Sequence, residues 1–227
     1  MSLNGEKIKA ILFDIDGTLS DSDDQLVANL ERWLKPFLFL LSRKDQHAAA
    51  RWLVMALESP GNFIYNLADR LDMDSLLIKL LNDRTRRKRH RIKKYWIIPG
   101  VGEVLNTLAQ FYSLGIVSAR DEASSLAFIE QFKLSPLFRV VVTSQTCRYS
   151  KPFPDPLLHA ARQLNVNPEN CLMVGDTTVD IRAAKLAGMQ SLGVLCGFGT
   201  QRELQRVGAD LILASPVELP RMLGLSA

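Results

Sequence analysis

Short apolar runs rich in β-branched residues alternate along this chain with segments in which apolar residues recur at helical spacing. The predicted strands are Lys9–Phe13, Tyr112–Ser118, Phe138–Thr143, Cys171–Gly175, Gln190–Leu195 and a short Leu211–Leu213. The predicted helices are Val101–Gln110, Ala123–Phe132, Pro156–Leu164 and Thr178–Ala187. Strands that alternate with helices form parallel sheets. The pattern therefore predicts an α/β fold with a Rossmann-like core, a parallel sheet that carries helices on both faces.

A long segment between residues 24 and 95 interrupts this alternation. It holds no strand-like run, and its Leu, Trp, Phe and Ala residues recur at helical spacing. Pro36 and Pro60-Gly61 divide the segment, and Pro99-Gly100 marks the return of the alternating pattern. We predict a core domain of residues 1–19 and 96–227, and an all-helical cap of residues 20–95 inserted after the first strand.

Composition argues against a membrane protein and against a disulfide-stabilised one. The most apolar local run, Trp33–Leu41, contains Lys35 and Pro36 and is too short to span a bilayer. The chain has only three widely spaced cysteines, which is typical of a reducing compartment. We therefore expect a cytoplasmic protein, and the sequence leaves open whether it is a monomer or a homodimer.

Basic charge is concentrated in one run. Eight of the 28 lysines and arginines lie in Arg84–Lys94, which leaves 20 basic residues against 24 acidic ones elsewhere. A run of like charge is most often a solvated helix face, and we favour that interpretation. Steering of an anionic substrate and binding of nucleic acid or another polyanion are the alternatives.

Chemically active side chains follow the ends of the first four predicted strands. In chain order they are Asp14, Asp16, Ser118, Lys151, Asp176 and Asp180. In a parallel sheet, ligands bind beyond the carboxyl ends of the strands. If these strands are neighbours, four carboxylates, a hydroxyl and an ammonium meet in one crevice.

The ordered set resembles the four-part signature of the haloacid dehalogenase-like superfamily. The parts are Asp14-Ile-Asp16-Gly-Thr18, Ser118 at the end of the second strand, Lys151, and Gly175-Asp176-Thr-Thr-Val-Asp180. The helical insertion and the segments Gly197-Phe-Gly199 and Gly208-Ala-Asp210 resemble its phosphoglycolate phosphatase-like branch. The resemblance implies a phosphatase with Mg²⁺ held by Asp14, the Asp16 carbonyl, Asp176 and Asp180.

The residues themselves fit this chemistry. A carboxylate is ionised at neutral pH, so Asp14 can attack phosphorus without a base. A hard cation held by Asp14 and Asp176, with Asp180 in support, would offset the repulsion between Asp14 and an anionic phosphate. Lys151 and Ser118 would stabilise the charge of the transferred group.

Two further residues have predicted roles beside the nucleophile. Asp16 lies two residues beyond Asp14, where it can give a proton to the leaving oxygen and later activate the attacking water. Arg120 follows Ser118 closely and is predicted either to contact the substrate phosphate or to form a salt bridge in its loop.

The function predicted from these residues is a Mg²⁺-dependent phosphatase that hydrolyses a small phosphorylated metabolite through an aspartyl-phosphate. A phosphosugar mutase would use the same motifs and stays an alternative, as does a polyanion-associated protein that binds through Arg84–Lys94. A dehalogenase would not need Asp16, because it has no leaving oxygen to protonate, and the intact pair of aspartates argues against it.

Overall fold

The computed structural model describes residues 3–21 and 95–225 of the 227-residue chain. The chain divides into two compact units, and the described residues belong to the unit formed by residues 1–25 and 95–227. The predicted helical cap lies almost entirely outside the described residues, and the basic run Arg84–Lys94 lies wholly outside them. Both remain predictions.

A parallel sheet forms the centre of the described unit. Its strands are β1 Ala10–Phe13, β2 Ser113–Val117, β3 Phe138–Val142, β4 Cys171–Gly175, β5 Gln190–Val194 and β6 Leu211–Leu213. They are ordered β3-β2-β1-β4-β5-β6, with every neighbouring pair parallel. The chain runs outward from β1 on one side and then crosses to β4 on the other. Such a reversal creates a crevice at the carboxyl ends of β1 and β4.

The helices of the described unit alternate with the strands, and the last of them follows the sixth strand. They are α1 Val101–Leu108, α2 Glu122–Gln131, α3 Asp155–Leu164, α4 Thr178–Ala187, α5 Gln201–Arg206 and α6 Leu219–Met222. The first four match the prediction to within two residues at each end. Helices α5 and α6 were not predicted. In the described part of the chain, no helix is long and apolar enough to cross a bilayer.

A local signal for α5 does exist in the sequence. The Thr200 amide donates to the Glu203 carboxylate at 3.0 Å, and the Glu203 amide donates to the Thr200 hydroxyl at 3.4 Å. This reciprocal pair is a capping box, which satisfies two amide groups at the start of a helix. The spacing of Thr200 and Glu203 therefore predicts the start of α5, even though the helix is short.

Apolar side chains of the central strand alternate between the two faces of the sheet. Ile11 and Phe13 pack in one cluster with side chains of α1 and α2. Ala10 and Leu12 pack in a second cluster with side chains of α3 and α4. Because successive strand residues point to opposite faces, β1 is buried on both sides. The α/β fold with helices on both faces is confirmed.

Two glycines offer a test of this packing. A Cβ added at Gly115, in β2, would lie 2.7 Å from Val140 Cγ1 and 2.9 Å from Leu12 Cδ2, whereas one added at Gly102, in α1, would meet nothing within 4 Å. We expect Gly115→Ala to lower the free energy of unfolding by about 1–3 kcal/mol through overpacking. Gly102→Ala, in the first turn of α1, is the matched control and should not lower it, because alanine meets no atom there and loses less chain entropy than glycine. Urea titration followed by circular dichroism measures both, and an equal effect of the two changes would contradict this packing.

Candidate active site

The sheet brings the ends of β1, β2 and β4 together. The residue after β1 and the residue after β2 still form a main-chain hydrogen bond with the neighbouring strand. The Asp14 amide donates to Val174 O of β4 at 3.0 Å, and the Ser118 amide donates to Val142 O of β3 at 2.9 Å. Asp176 follows β4 directly. Asp14, Ser118 and Asp176 therefore emerge at the same edge because their strands are neighbours and start in matching register.

Lys151 lies buried among carboxylates at this edge. Its Nζ is 2.9 Å from Asp14 Oδ1 and 2.6 Å from Asp180 Oδ1. It also donates a hydrogen bond of 2.8 Å to Val117 O, at the end of β2. The Lys151 side chain is only 4% exposed and that of Asp180 only 1%. A buried charge is costly unless it is paired and hydrogen-bonded, and Lys151 meets both conditions.

Asp180 has structural partners on both of its oxygens. Oδ1 receives the Lys151 ammonium, and Oδ2 accepts hydrogen bonds from the Thr177 amide at 3.1 Å and the Thr177 hydroxyl at 2.6 Å. A Cβ at Gly175 would lie 2.3 Å from Asp180 Cγ, so this carboxyl group packs directly on the strand end. The geometry suits a residue that orders Lys151 and the start of α4.

Asp176 is fully buried under the loop that follows β5. Its Oδ2 accepts a 2.8 Å hydrogen bond from the Phe198 amide, and its Oδ1 lies 3.5 Å from the Thr18 hydroxyl. A Cβ at Gly197 would lie 2.2 Å from Asp176 Oδ2, and one at Gly199 would lie 1.9 Å from Asp176 O. The sequence Gly197-Phe-Gly199 is therefore required sterically, because only glycine lets this loop approach Asp176.

The carboxylates fit a hard divalent cation. Asp14, Asp176 and Asp180 each offer an oxygen, and these oxygens all lie within 4.8 Å of one another. Asp14 Oδ1 is buried against the Lys151 ammonium at 2.9 Å, which is also shared with Asp180. Carboxylate oxygens are the protein ligands that Mg²⁺ and similar cations prefer. Three buried carboxylates share one ammonium, and such an ion would compensate the remaining negative charge.

Burial strongly affects the ionisation of these groups. Desolvation raises the pKa of Asp14 to about 7, against the opposing positive charge of Lys151, and the charges of Asp180 and Asp16 add to the rise. For Lys151, burial lowers the pKa, but the charges of Asp14 and Asp180 outweigh it and the net shift is upward. The lysine therefore stays protonated, while Asp14 depends on nearby positive charge to remain a carboxylate.

Arg120 contacts Asp16 with two hydrogen bonds. Arg120 Nε lies 2.6 Å from Asp16 Oδ2, and Nη2 lies 2.5 Å from Asp16 Oδ1. Of the two predicted roles for Arg120, the described contacts show the salt bridge. The sequence does not reveal its partner, because the two residues are 104 positions apart. Ser118 is buried, and its hydroxyl accepts a 3.2 Å hydrogen bond from the Arg120 amide.

Comparison with known proteins places the chain in a family. Residues 11–194 match the model of the haloacid dehalogenase-like hydrolase family. The chain belongs to this family. It is 26% identical to a phosphoglycolate phosphatase of Nitrosococcus oceani, over 96% of this chain and 97% of that protein. It is 29% identical to one of Nitrosospira multiformis, over 97% of each.

A solved structure agrees with the fold of this haloacid dehalogenase-like hydrolase. A candidate beta-phosphoglucomutase of Thermotoga maritima superposes with a TM-score of 0.66 at 24% identity, over 97% of this chain and 100% of that one. Together with the phosphatase relatives, the family match confirms the predicted resemblance to the phosphoglycolate phosphatase-like branch. It also confirms the prediction of a phosphoric monoester hydrolase.

The raised pKa of Asp14 predicts how the stability of the hydrolase changes with pH when metal has been removed by chelation. A carboxyl group with a raised pKa in the folded state favours the folded state below its unfolded pKa of 3.8, and this contribution is lost as pH rises through about 7. Asn at this position cannot ionise. We therefore expect Asp14→Asn to be more stable than wild type above neutral pH, with the difference disappearing as pH falls towards 4.

Thermal unfolding of both proteins in a chelator, over a series of pH values, measures this difference. Asp155→Asn, at the start of α3 and not a member of the group of Asp14, Asp176 and Asp180, is the control and should show no such gain in stability above neutral pH. An unchanged difference between Asp14→Asn and wild type across the series would show that Asp14 is not desolvated as the structure indicates.

Proposed function

We propose that this haloacid dehalogenase-like hydrolase is a Mg²⁺-dependent phosphatase that cleaves a small phosphomonoester through an aspartyl-phosphate on Asp14. The observation that carries the proposal is the buried cluster of Asp14, Asp176 and Asp180, with the Lys151 ammonium in contact with the first and the last of them. The cluster places Asp14, which can attack phosphorus, beside carboxylates that can hold a cation. It lies at the sheet edge where ligands of α/β proteins bind.

Asp14 is the proposed nucleophile. One of its oxygens attacks phosphorus, the bond to the ester oxygen breaks, and the alcohol leaves with a proton. Bound Mg²⁺ would supply positive charge that offsets the repulsion between the Asp14 carboxylate and the phosphoryl oxygens. Asp14 and Asp176 would hold the ion with the Asp16 carbonyl, and Asp180 would support it through its contacts with Lys151 and Thr177.

Lys151 and Ser118 are the proposed stabilisers of the transferred group. Most of the catalysis of phosphoryl transfer comes from positioning and from charge placed around the phosphoryl oxygens. Lys151 is held rigidly between Asp14 and Asp180, so it needs no rearrangement to supply a positive charge. The Ser118 hydroxyl accepts from the Arg120 amide, and its own proton remains to be donated to a phosphoryl oxygen.

Asp16 is the proposed proton carrier. It gives a proton to the leaving oxygen in the first step. In the second step it takes one from the water that attacks the phosphorus of the aspartyl-phosphate, which restores both carboxyl groups. The Asp16 side chain is 31% exposed, so water and substrate can reach it.

The named relatives suggest where to look for the substrate. Two proteins that match over nearly their whole length are phosphoglycolate phosphatases. We therefore propose 2-phosphoglycolate as the first compound to test within a panel of small phosphorylated metabolites. A phosphosugar mutase is the second candidate, favoured by the structural likeness to a candidate beta-phosphoglucomutase. Release of inorganic phosphate separates the two, because a mutase returns the phosphoryl group to the sugar.

The first functional prediction concerns Asp14. With Mg²⁺ and the metabolite panel, wild type should release inorganic phosphate from at least one ester, and Asp14→Asn should reduce this release to background, because an amide is a poor nucleophile. Circular dichroism establishes that the variant is folded, and Asp155→Asn should retain wild-type turnover. Full activity of folded Asp14→Asn would contradict the covalent mechanism.

The second functional prediction concerns the ion and does not depend on turnover. A ligand that binds only the folded state stabilises it by about 2.7 kcal/mol at 100 times its Kd. Mg²⁺ should therefore raise the Tm of the chelator-treated wild type. Asp176→Asn should weaken or abolish the shift, and Asp155→Asn should keep it. An undiminished Mg²⁺ shift in Asp176→Asn would place the ion elsewhere.

A further inference from the structure

We propose that Arg120 is a positioning residue that fixes the direction of the Asp16 carboxyl group. This inference rests on the proposed function, because it assumes that Asp16 carries a proton during ester cleavage. Arg120 lies just beyond β2, whereas Asp16 lies in the loop after β1. The ion pair between them connects the segments that follow two neighbouring strands, β1 and β2.

The geometry is that of a two-pronged pair. Nε and Nη2 of Arg120 each donate to a different oxygen of Asp16, at 2.6 and 2.5 Å. A planar guanidinium that meets both oxygens of a carboxylate determines the orientation of the carboxylate plane as well as its distance. Nη2 also lies 3.4 Å from the hydroxyl of Ser20, which belongs to the same loop as Asp16.

Arg120 is itself held in place by its surroundings. The carbon of its guanidinium group lies 5.0 Å from the ring centroid of Tyr95 and 5.6 Å from that of Phe128, within the range of cation–π attraction. These two rings contact each other edge to face at 6.0 Å. The Arg120 side chain is only 12% exposed. An aromatic support of this kind limits the movement of the guanidinium group.

The main chain of Arg120 is fixed as well. Its amide donates to the Ser118 hydroxyl at 3.2 Å, and its carbonyl accepts from the Ser144 amide at 3.0 Å. Ser118 is the proposed donor to a phosphoryl oxygen, and Arg120 orients the Asp16 carboxyl group. The two residues therefore belong to one short segment after β2. Their relative positions therefore depend on a single strand end.

The pair leaves Asp16 able to act. A carboxylate has about four acceptor positions, and Arg120 uses one on each oxygen. One of the remaining positions can carry the proton that Asp16 donates to the leaving oxygen, and the same position can then accept a proton from the attacking water. Without the Arg120 guanidinium, the Asp16 side chain could take other staggered rotamers. A displacement of about 1 Å at a reacting group can cost about 100-fold in rate, which is the effect we assign to the loss of Arg120.

The test compares two substrates that differ in leaving group. One is the alkyl phosphate that wild type hydrolyses fastest in the metabolite panel, and its alkoxide needs a proton as it leaves. The other is p-nitrophenyl phosphate, whose leaving group is stable as an anion. Arg120→Met keeps much of the apolar stem but removes the guanidinium. We expect it to lower kcat/KM about 100-fold for the alkyl ester and only a few-fold for the aryl ester. The comparison uses kcat/KM because this constant reports transfer to Asp14, whereas kcat also includes hydrolysis of the aspartyl-phosphate, which both esters share.

Two other variants sharpen this test. Arg120→Lys keeps the positive charge but cannot form the two-pronged pair, so it should show the same substrate selectivity with a smaller loss. Arg139→Met removes an exposed arginine on β3 and is the matched control, with both rates expected to match wild type. Because Arg120 acts through Asp16, adding Arg120→Met to Asp16→Asn should cause little further loss on the alkyl ester.

Several outcomes would overturn the inference. Equal losses on both esters with a raised KM would show that Arg120 binds the phosphoryl group directly. Full rescue by Arg120→Lys would show that charge alone is needed, and a rise in kcat would show that the pair holds Asp16 away from the substrate. If wild type released phosphate from neither ester, the proposed function would fail and this inference with it. Wild-type activity without leaving-group selectivity in the variants would refute this inference alone.

Discussion

The buried carboxylates at the carboxyl end of the sheet are the constraint on which the rest of this structure depends. Asp14, Asp176 and Asp180 are almost inaccessible to water, and Lys151 lies between two of them. Burial of so much like charge is unfavourable unless positive charge and hydrogen bonds compensate it. Lys151, the Phe198 amide and Thr177 supply part of this compensation, and the remaining deficit is the strongest argument for a divalent cation.

The surrounding fold can be understood as the means of holding these groups. Parallel pairing of β2, β1 and β4 brings three strand ends to one edge. Glycine at positions 175, 197 and 199 lets Asp180 and the loop after β5 pack against that edge, where a Cβ would collide with Asp176 or Asp180. The apolar clusters on both faces stabilise the strands far from the charges. The site is therefore rigid because it is attached to the most deeply buried strands of the sheet.

Local patterns in the sequence account for the strands, the longer helices and the order of the chemical residues. Asp14 and Asp176 were predictable because each follows a short apolar run, and a strand end is visible without knowledge of its neighbours. The Arg120–Asp16 pair was not predictable, since it joins residues 104 positions apart and depends on how two loops meet. The contact of Phe198 with Asp176 depends in the same way on a backbone amide, which no sequence motif distinguishes.

The central claim is that Asp14 becomes phosphorylated during turnover. The most direct measurement is a rapid acid quench of the enzyme with Mg²⁺ and a hydrolysed ester, followed by proteolysis and mass spectrometry of the peptide that contains Asp14. The account predicts the added mass of one phosphoryl group on Asp14 in wild type and its absence in Asp14→Asn. Phosphate release with an unmodified Asp14 at every quench time, or a phosphoryl group found on a different residue, would contradict it.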